Sequence, residues 1–171
     1  MMFQKILVAI DDSESSRAIF EQALTLAKTT HSELMLSHII IPFDPAYLCE
    51  PYLGMPQPSM QVHWDRLKEQ EQAGLERLRS LETEASATGV STEFTQNLGD
   101  PGRLICELAK SWGADLIIIG RRGLSGLGEL WLGSVSNYVL HHAPCHVLTI
   151  QGTVQPQPQT EPAGVAVSGV K

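Results

Sequence analysis

The stretch Ala114-Asp115-Leu116-Ile117-Ile118-Ile119-Gly120 carries the strongest strand signal in this chain. Behind it, a glycine-rich loop from Arg121 to Gly133 leads into a short helical pattern, Ser134 to His142. A bounded apolar run without polar alternation fits a strand covered on both faces, as in a parallel sheet. Pro144 to Ile150 (PCHVLTI) then reads as a last strand. Strand, helix, strand in that order is the repeating unit of a sheet wound with helices.

The same unit recurs upstream. Lys5 to Ile10 (KILVAI) is a short apolar strand, and Asp11-Asp12-Ser13 suits a strand end followed by a helix cap. From Glu14 the apolar residues Ala18, Ile19, Ala23, Leu26 and Ala27 fall on one helical stripe. Glu33 to Ile41 is a second strand, closed by Pro42. Trp64 to Ala87 returns to helical spacing through Trp64, Leu67, Glu71, Leu75, Leu78, Leu81 and Ala85, with Gly89 as a stop. Val90 to Gln96 alternates weakly and suits an edge strand. Gly99-Asp100-Pro101 opens a further helix, with Asp100 as N-cap and Pro101 in the first position, where its missing N–H costs nothing. Leu104, Ile105, Leu108 and Trp112 form its buried face, and Gly113 ends it. Five strands alternating with four helices predict a doubly wound, parallel α/β domain over residues 1–150.

Two segments stand outside this rhythm. Residues 42–63 carry Pro42, Pro45, Pro51, Pro56 and Pro58 with Phe43, Tyr47 and Tyr52 between them. So long a connection suits either a lid over a site or a surface insertion. Residues 151–171 contain Pro156, Pro158 and Pro162 and no aromatic residue, which predicts a disordered tail.

The chain has 171 residues and a net charge of −7, from 12 Lys and Arg against 19 Asp and Glu. That acidic balance argues against non-specific binding to nucleic acid or to an anionic membrane, both of which need a basic field. The apolar runs are too short to span a bilayer, and the N-terminus lacks a signal-peptide pattern, so a cytoplasmic protein is expected. Three cysteines, Cys49, Cys106 and Cys145, are odd in number and widely spaced, which does not suggest a disulfide framework.

In a doubly wound sheet, ligands sit beyond the carboxyl ends of the strands where the strand order reverses. Ala9-Ile10-Asp11 and the loop from Gly120 occupy such ends. Glycines at 120 and 123 let backbone N–H groups approach an anion, and Gly133-Ser134 begins a helix whose N-terminus offers unpaired N–H groups and partial positive charge. Ser134 and Ser136 add hydroxyls; Arg121 and Arg122 add charge. Neither the P-loop pattern nor the dinucleotide fingerprint is present. Composition alone leaves a ligand loop and a tight, empty connection equally open.

The spacing Gly120-x2-Gly123-x9-Gly133-Ser134 resembles the Gly-x2-Gly-x9-Gly-[Ser/Thr] pattern of the ATP-binding branch of the universal stress protein family. At roughly 7% glycine usage, such a match arises by chance on the order of 1% of the time in a chain this long. The flanks Ala114 to Ile119 and Val135-Ser136-Asn137-Tyr138-Val139, the opening Lys5 to Asp11 and the segment Gly99-Asp100-Pro101 are similar to the family too. The likeness runs from Met2 to about Ile150.

That resemblance implies strand order 3-2-1-4-5 in a Rossmann-like sheet, and a homodimer. It places Ala9, Ile10 and Asp11 near the ribose and base of ATP or a related adenine nucleotide, with Asp11 also able to meet Mg2+ on the phosphates. Ile39 would meet adenine through its backbone, and Ile119 and Gly120 would line the ribose. Arg122, Gly123, Gly133, Ser134, Val135 and Ser136 would hold the phosphates. The last strand, through Val147, Leu148 and Thr149, would form the dimer interface.

Other groups have plainer readings. His141, His142, Cys145 and His146 lack a metal-ligand spacing and read as surface residues. Cys106 reads as packing, His38 as a satisfied, half-buried strand residue, and Asp12 as a helix cap. No residue is recognisable as positioning water opposite a leaving phosphate. The leading expectation is therefore a nucleotide-binding stress or signalling module. A slow ATPase or phosphotransfer enzyme, and an interaction protein whose loop binds nothing, stay open as alternatives.

Overall fold

A computed structural model of the chain describes residues 3–13, 15–41, 60–121 and 132–151, with only the backbone of 60–63. Nine elements follow in order: β1 (Lys5–Ile10), α1 (Ser15–Thr30), β2 (Glu33–Ile40), α2 (Met60–Ala87), β3 (Thr92–Leu98), α3 (Pro101–Trp112), β4 (Leu116–Gly120), α4 (Ser134–His142) and β5 (His146–Ile150). The strands form one sheet in the order β3-β2-β1-β4-β5, and every pair is parallel. The expected doubly wound α/β architecture and its strand order are what the structure shows.

Each strand has two covered faces, so alternate residues enter two cores. Ile6, Val8 and Ile10 of β1 pack with Leu34 and Leu36 of β2, Leu116 and Ile118 of β4, and the inner faces of α1 and α2. Leu7 of β1, Met35 of β2 and Ile117 and Ile119 of β4 meet Ile105 and Ala109 of α3 and Val139 of α4 on the other side. Phe20 of α1 is fully buried in the first core.

The start of the sheet is tied by Asp115. Its carboxylate accepts the amides of Gln4 at 2.7 Å and Lys5 at 3.3 Å, and its own amide donates to the Lys5 carbonyl at 3.0 Å. Those bonds align β1 with β4, whose sequence positions lie 110 apart.

Several boundaries differ from the sequence reading. Helix α2 begins at Met60, so the last four residues of the expected 42–63 insertion are helical. Residues 42–59, which hold its prolines and the expected lid, and 152–171 of the expected tail lie outside the described residues. Strand β3 runs Thr92–Leu98, two residues later than expected, and β2 stops at Ile40, leaving Ile41 exposed. Trp64, expected on the buried stripe of α2, is 53% exposed, while Gly74, Leu78, Leu81 and Ala85 are buried. The reason is length. A 28-residue helix spans about 42 Å, whereas an eight-residue strand spans about 26 Å. The first turns of α2 therefore overhang the carboxyl edge of the sheet.

Helix α3 matches its sequence signals in detail. The Asp100 carboxylate accepts the Arg103 amide at 2.8 Å, Pro101 follows, and Gly113 closes the helix with φ 74°, donating to the Ala109 carbonyl. Among the described residues no helix is long and apolar enough to cross a membrane.

Candidate functional site

Strand order reverses between β1 and β4: β1 is followed in the chain by β2 on one side, while β4 lies on the other. In sheets of this kind a crevice lies beyond the carboxyl ends of the strands at this switch point. Ala9, Ile39 and Val135 pack around one apolar cluster there, which also contains Ile119. The structure thus gathers residues from β1, β2, β4 and α4 that the sequence reading had placed together. Ile10 differs in direction. Its side chain is buried on the opposite face with α1, so only its backbone lies at the crevice.

The loop after β4 leaves and returns through a closed stem. The Arg121 amide donates to the Ile150 carbonyl at 2.7 Å, and the Arg121 carbonyl accepts the Gly133 amide at 2.8 Å. The Ser136 hydroxyl lies 2.9 Å from the Arg121 carbonyl and 3.0 Å from the Gly133 carbonyl, with one proton to share between them. Ser136 is buried and holds the stem. Arg122 and Gly123, named as phosphate contacts, lie outside the described residues.

Helix α4 starts at this stem with Gly133 as its N-cap, and among the described residues no side chain caps its first amides. The N–H groups of Ser134, Val135 and Ser136 have no helical acceptor, and the helix dipole concentrates positive potential on them. Arg121, whose backbone closes the stem, has a buried Nε with no hydrogen-bond partner among the described residues. An unpaired buried guanidinium nitrogen is costly, and an anion at this position would satisfy it.

Asp11 organises the other lip. Its Oδ1 accepts the Ser13 amide at 3.1 Å and the hydroxyls of Ser13 and Ser16, each at 2.5 Å, while its amide donates to Ser16 Oγ at 3.0 Å. Among the described residues no hydrogen bond falls on Oδ2. The described contacts thus hold the Asp11 carboxylate by one oxygen.

Asp12 and His38 depart from their plain readings. Among the described residues Asp12 accepts no amide of α1; its Oδ1 pairs with Arg77 Nη1 of α2 and lies 3.5 Å from His38 Nε2. His38 is buried rather than half-buried, and its Nδ1 has no partner among the described residues. It faces Gly74 of α2, where a side chain would stand 2.6 Å from Nδ1. Burial pushes the imidazole below its ordinary value, and Arg77 adds to that against the carboxylates of Asp12 and Asp11. Arg77 was not singled out from the sequence. The one signal near it is Gly74, an isolated glycine inside a helical pattern.

The histidines near the chain's end have local partners. His142 stacks on Tyr138 with ring centroids 4.0 Å apart, and His146 meets the edge of Phe3. Cys106 is half-buried in the α3/α4 core, and burial pushes its thiol up.

The fold agrees with comparisons to known proteins. The model of the universal stress protein family matches residues 2–151. A universal stress protein of Synechocystis, Sll1388, is 40% identical over 158 residues, covering 88% of this chain and 99% of its own length. A universal stress protein family member from Arabidopsis thaliana, crystallised with AMP bound, superposes with a TM-score of 0.59 at 23% identity, over 92% of this chain and 97% of its own. A universal stress protein crystallised in complex with cAMP gives a TM-score of 0.59 at 24% identity, over 88% and 98%. With a family model over nearly the whole domain and a relative of this identity and coverage, the chain belongs to the universal stress protein family.

Proposed function

We propose that this protein binds an adenine nucleotide, ATP or a monophosphate relative, in the crevice between the ends of β1 and β4, and acts as a dimeric module in the cytoplasm. One observation carries the reading. The closed stem after β4 ties Arg121, whose buried Nε has no partner among the described residues, to the N-terminus of α4, an arrangement that supports a phosphate seat there. The crystallisation of two structural neighbours with AMP and with cAMP supports it.

In this reading Ala9, Ile10 and Asp11 meet the ribose and base, the backbone of Ile39 meets adenine, and Ile119 and Gly120 line the ribose. Ser134 and Val135 offer amides to the phosphates, joined by Arg122 and Gly123. Gly133 and Ser136 contribute mainly by holding the stem, since the Gly133 amide and the Ser136 hydroxyl are already engaged. Asp11 Oδ2 would take a hydroxyl of the ribose or Mg2+ on the phosphates. The dimer would form through β5, a sheet edge where Leu148 is 43% exposed between half-buried Val147 and Thr149.

Mass spectrometry of small molecules released from freshly purified protein, followed by calorimetric titration with ATP, AMP and cAMP with and without Mg2+, tests the proposal. Retained or bound adenine nucleotide, weakened in Arg121→Met without loss of fold, is the expected result. No retained nucleotide and no binding at about 1 mM, an affinity of only about 4 kcal/mol, would refute it. Light scattering of Leu148→Lys tests the dimer: the expected result is a monomer.

A further inference from the structure

Between α2 and the end of β1 lies a polar seam that the nucleotide reading does not use. It is built at three-residue intervals along α2. The Glu71 carbonyl accepts Gln96 Nε2 of β3 at 3.1 Å, Gly74 abuts the buried ring of His38, and Arg77 reaches the turn after β1. There Arg77 Nη1 pairs with the Asp12 carboxylate and lies 3.4 Å from the Asp11 carbonyl. One guanidinium nitrogen from α2 therefore touches both residues of the turn that presents Asp11.

We propose that Arg77 is a positioning residue for the nucleotide site: by holding Asp12 and the Asp11 carbonyl it aims the Asp11 carboxylate, and so makes the seating of α2 and nucleotide occupancy depend on each other. The inference rests on the nucleotide reading of the crevice. Asp11 is held from the α1 side through Ser13 and Ser16, which bond its Oδ1, with Ser16 Oγ also accepting the Asp11 amide. Those contacts set the rotation of the carboxylate and hold the amide of that residue, but none of them touches the carbonyl side of its backbone. Arg77 is the contact that reaches that backbone from α2. His38 backs the arrangement, since its Nε2 stands 3.5 Å from the same Asp12 oxygen and leaves that carboxylate little freedom to swing inward. By reciprocity, a ligand that grips Asp11 stabilises the docked position of α2, and a shift of α2 weakens the ligand.

A double-mutant cycle on nucleotide affinity tests this, using the full chain and ATP with Mg2+. Arg77→Met keeps the side-chain stem and removes the charge. At a pair this exposed, about fivefold weaker binding is expected, with Arg77→Lys recovering most of it. The deciding arm is the same substitution in an Asp11→Asn background. If Arg77 acts through Asp11, its effect there falls below about twofold, because the group it aims has been removed. An equal loss in both backgrounds, or no loss in the wild-type background, overturns the proposal and leaves the nucleotide reading standing. A wild-type chain that binds no adenine nucleotide overturns both. Should Arg77→Met fold poorly, Asp12→Asn breaks the same pair from the other side and is judged by the same cycle.

Discussion

Gly102→Ala isolates the contact that sets α3 against α4. Gly102 is buried in the first turn of α3, and a Cβ there would stand 2.8 Å from Tyr138 Cδ1, 2.9 Å from Cγ and 3.0 Å from Cβ of the same residue. The last two atoms sit close to the α4 backbone, and the ring is stacked on His142, so the side chain has no simple way to swing aside. Either Tyr138 leaves its rotamer or α4 moves. Overpacking of this kind costs about 1–3 kcal/mol. Against it stands the helix preference of alanine over glycine, up to about 1 kcal/mol. The balance is a loss of about 1 kcal/mol, or roughly 2–4 °C in Tm for a domain of this size. Urea denaturation of wild type, Gly102→Ala, Tyr138→Ala and the double variant would measure it. Removing the ring first should abolish most of the penalty, giving a coupling of about 1 kcal/mol or more. Because α4 carries the uncapped amides at its start, nucleotide affinity should fall with Gly102→Ala as well. A Gly102→Ala protein as stable as wild type, with the same increment whether or not Tyr138 is present, would refute the reasoning.

The remaining predictions concern single residues. His38 has a folded-state value below its ordinary one, so below about pH 6.5 the unfolded chain binds the proton more readily than the folded one. Stability should therefore fall as pH drops through that range and level off below the folded value; urea midpoints across pH 7.5 to 5 should show it, and His38→Gln should flatten the slope. Asp100→Ala removes the bond to the Arg103 amide and should cost about 1 kcal/mol, measured as a lower denaturation midpoint with an unchanged slope. His31 ends α1 with φ 58°, a left-handed conformation that glycine adopts without penalty. His31→Gly should raise stability by about 0.5–1 kcal/mol in the same assay, and a lower midpoint would show that the imidazole makes a contact worth more than the strain.

The parts of the fold that the sequence announces are those with local causes. Asp100-Pro101 and Gly113 bracket α3 because cap and stop are written in adjacent residues, and α4 runs Ser134–His142 as its pattern predicts. The apolar run at Leu116–Ile119 needs no context to read as a covered strand. The misreadings have tertiary causes. Trp64 has the right spacing for a core residue, yet it lies on turns of α2 that overhang the sheet. Asp12 resembles a cap, but a guanidinium 65 positions away takes its carboxylate. The same holds at the crevice. The start of α4 after Gly133 was legible. The engagement of the Gly133 amide and the Ser136 hydroxyl in the stem was not, since it depends on where the Arg121 carbonyl ends up.

The order β3-β2-β1-β4-β5 puts the first of the described strands at the centre of the sheet. One flank of β1 is met early by β2, whereas the other must wait for β4 and for the Asp115 clasp, 110 positions downstream. Until the ribosome has delivered that segment, the innermost strand is a naked margin of unpaired amides and carbonyls, the kind of surface that recruits foreign strands. Closure across so long a stretch also slows the final folding step. A chain truncated after β3 should for that reason be prone to aggregate, although it carries most of the α1/α2 core.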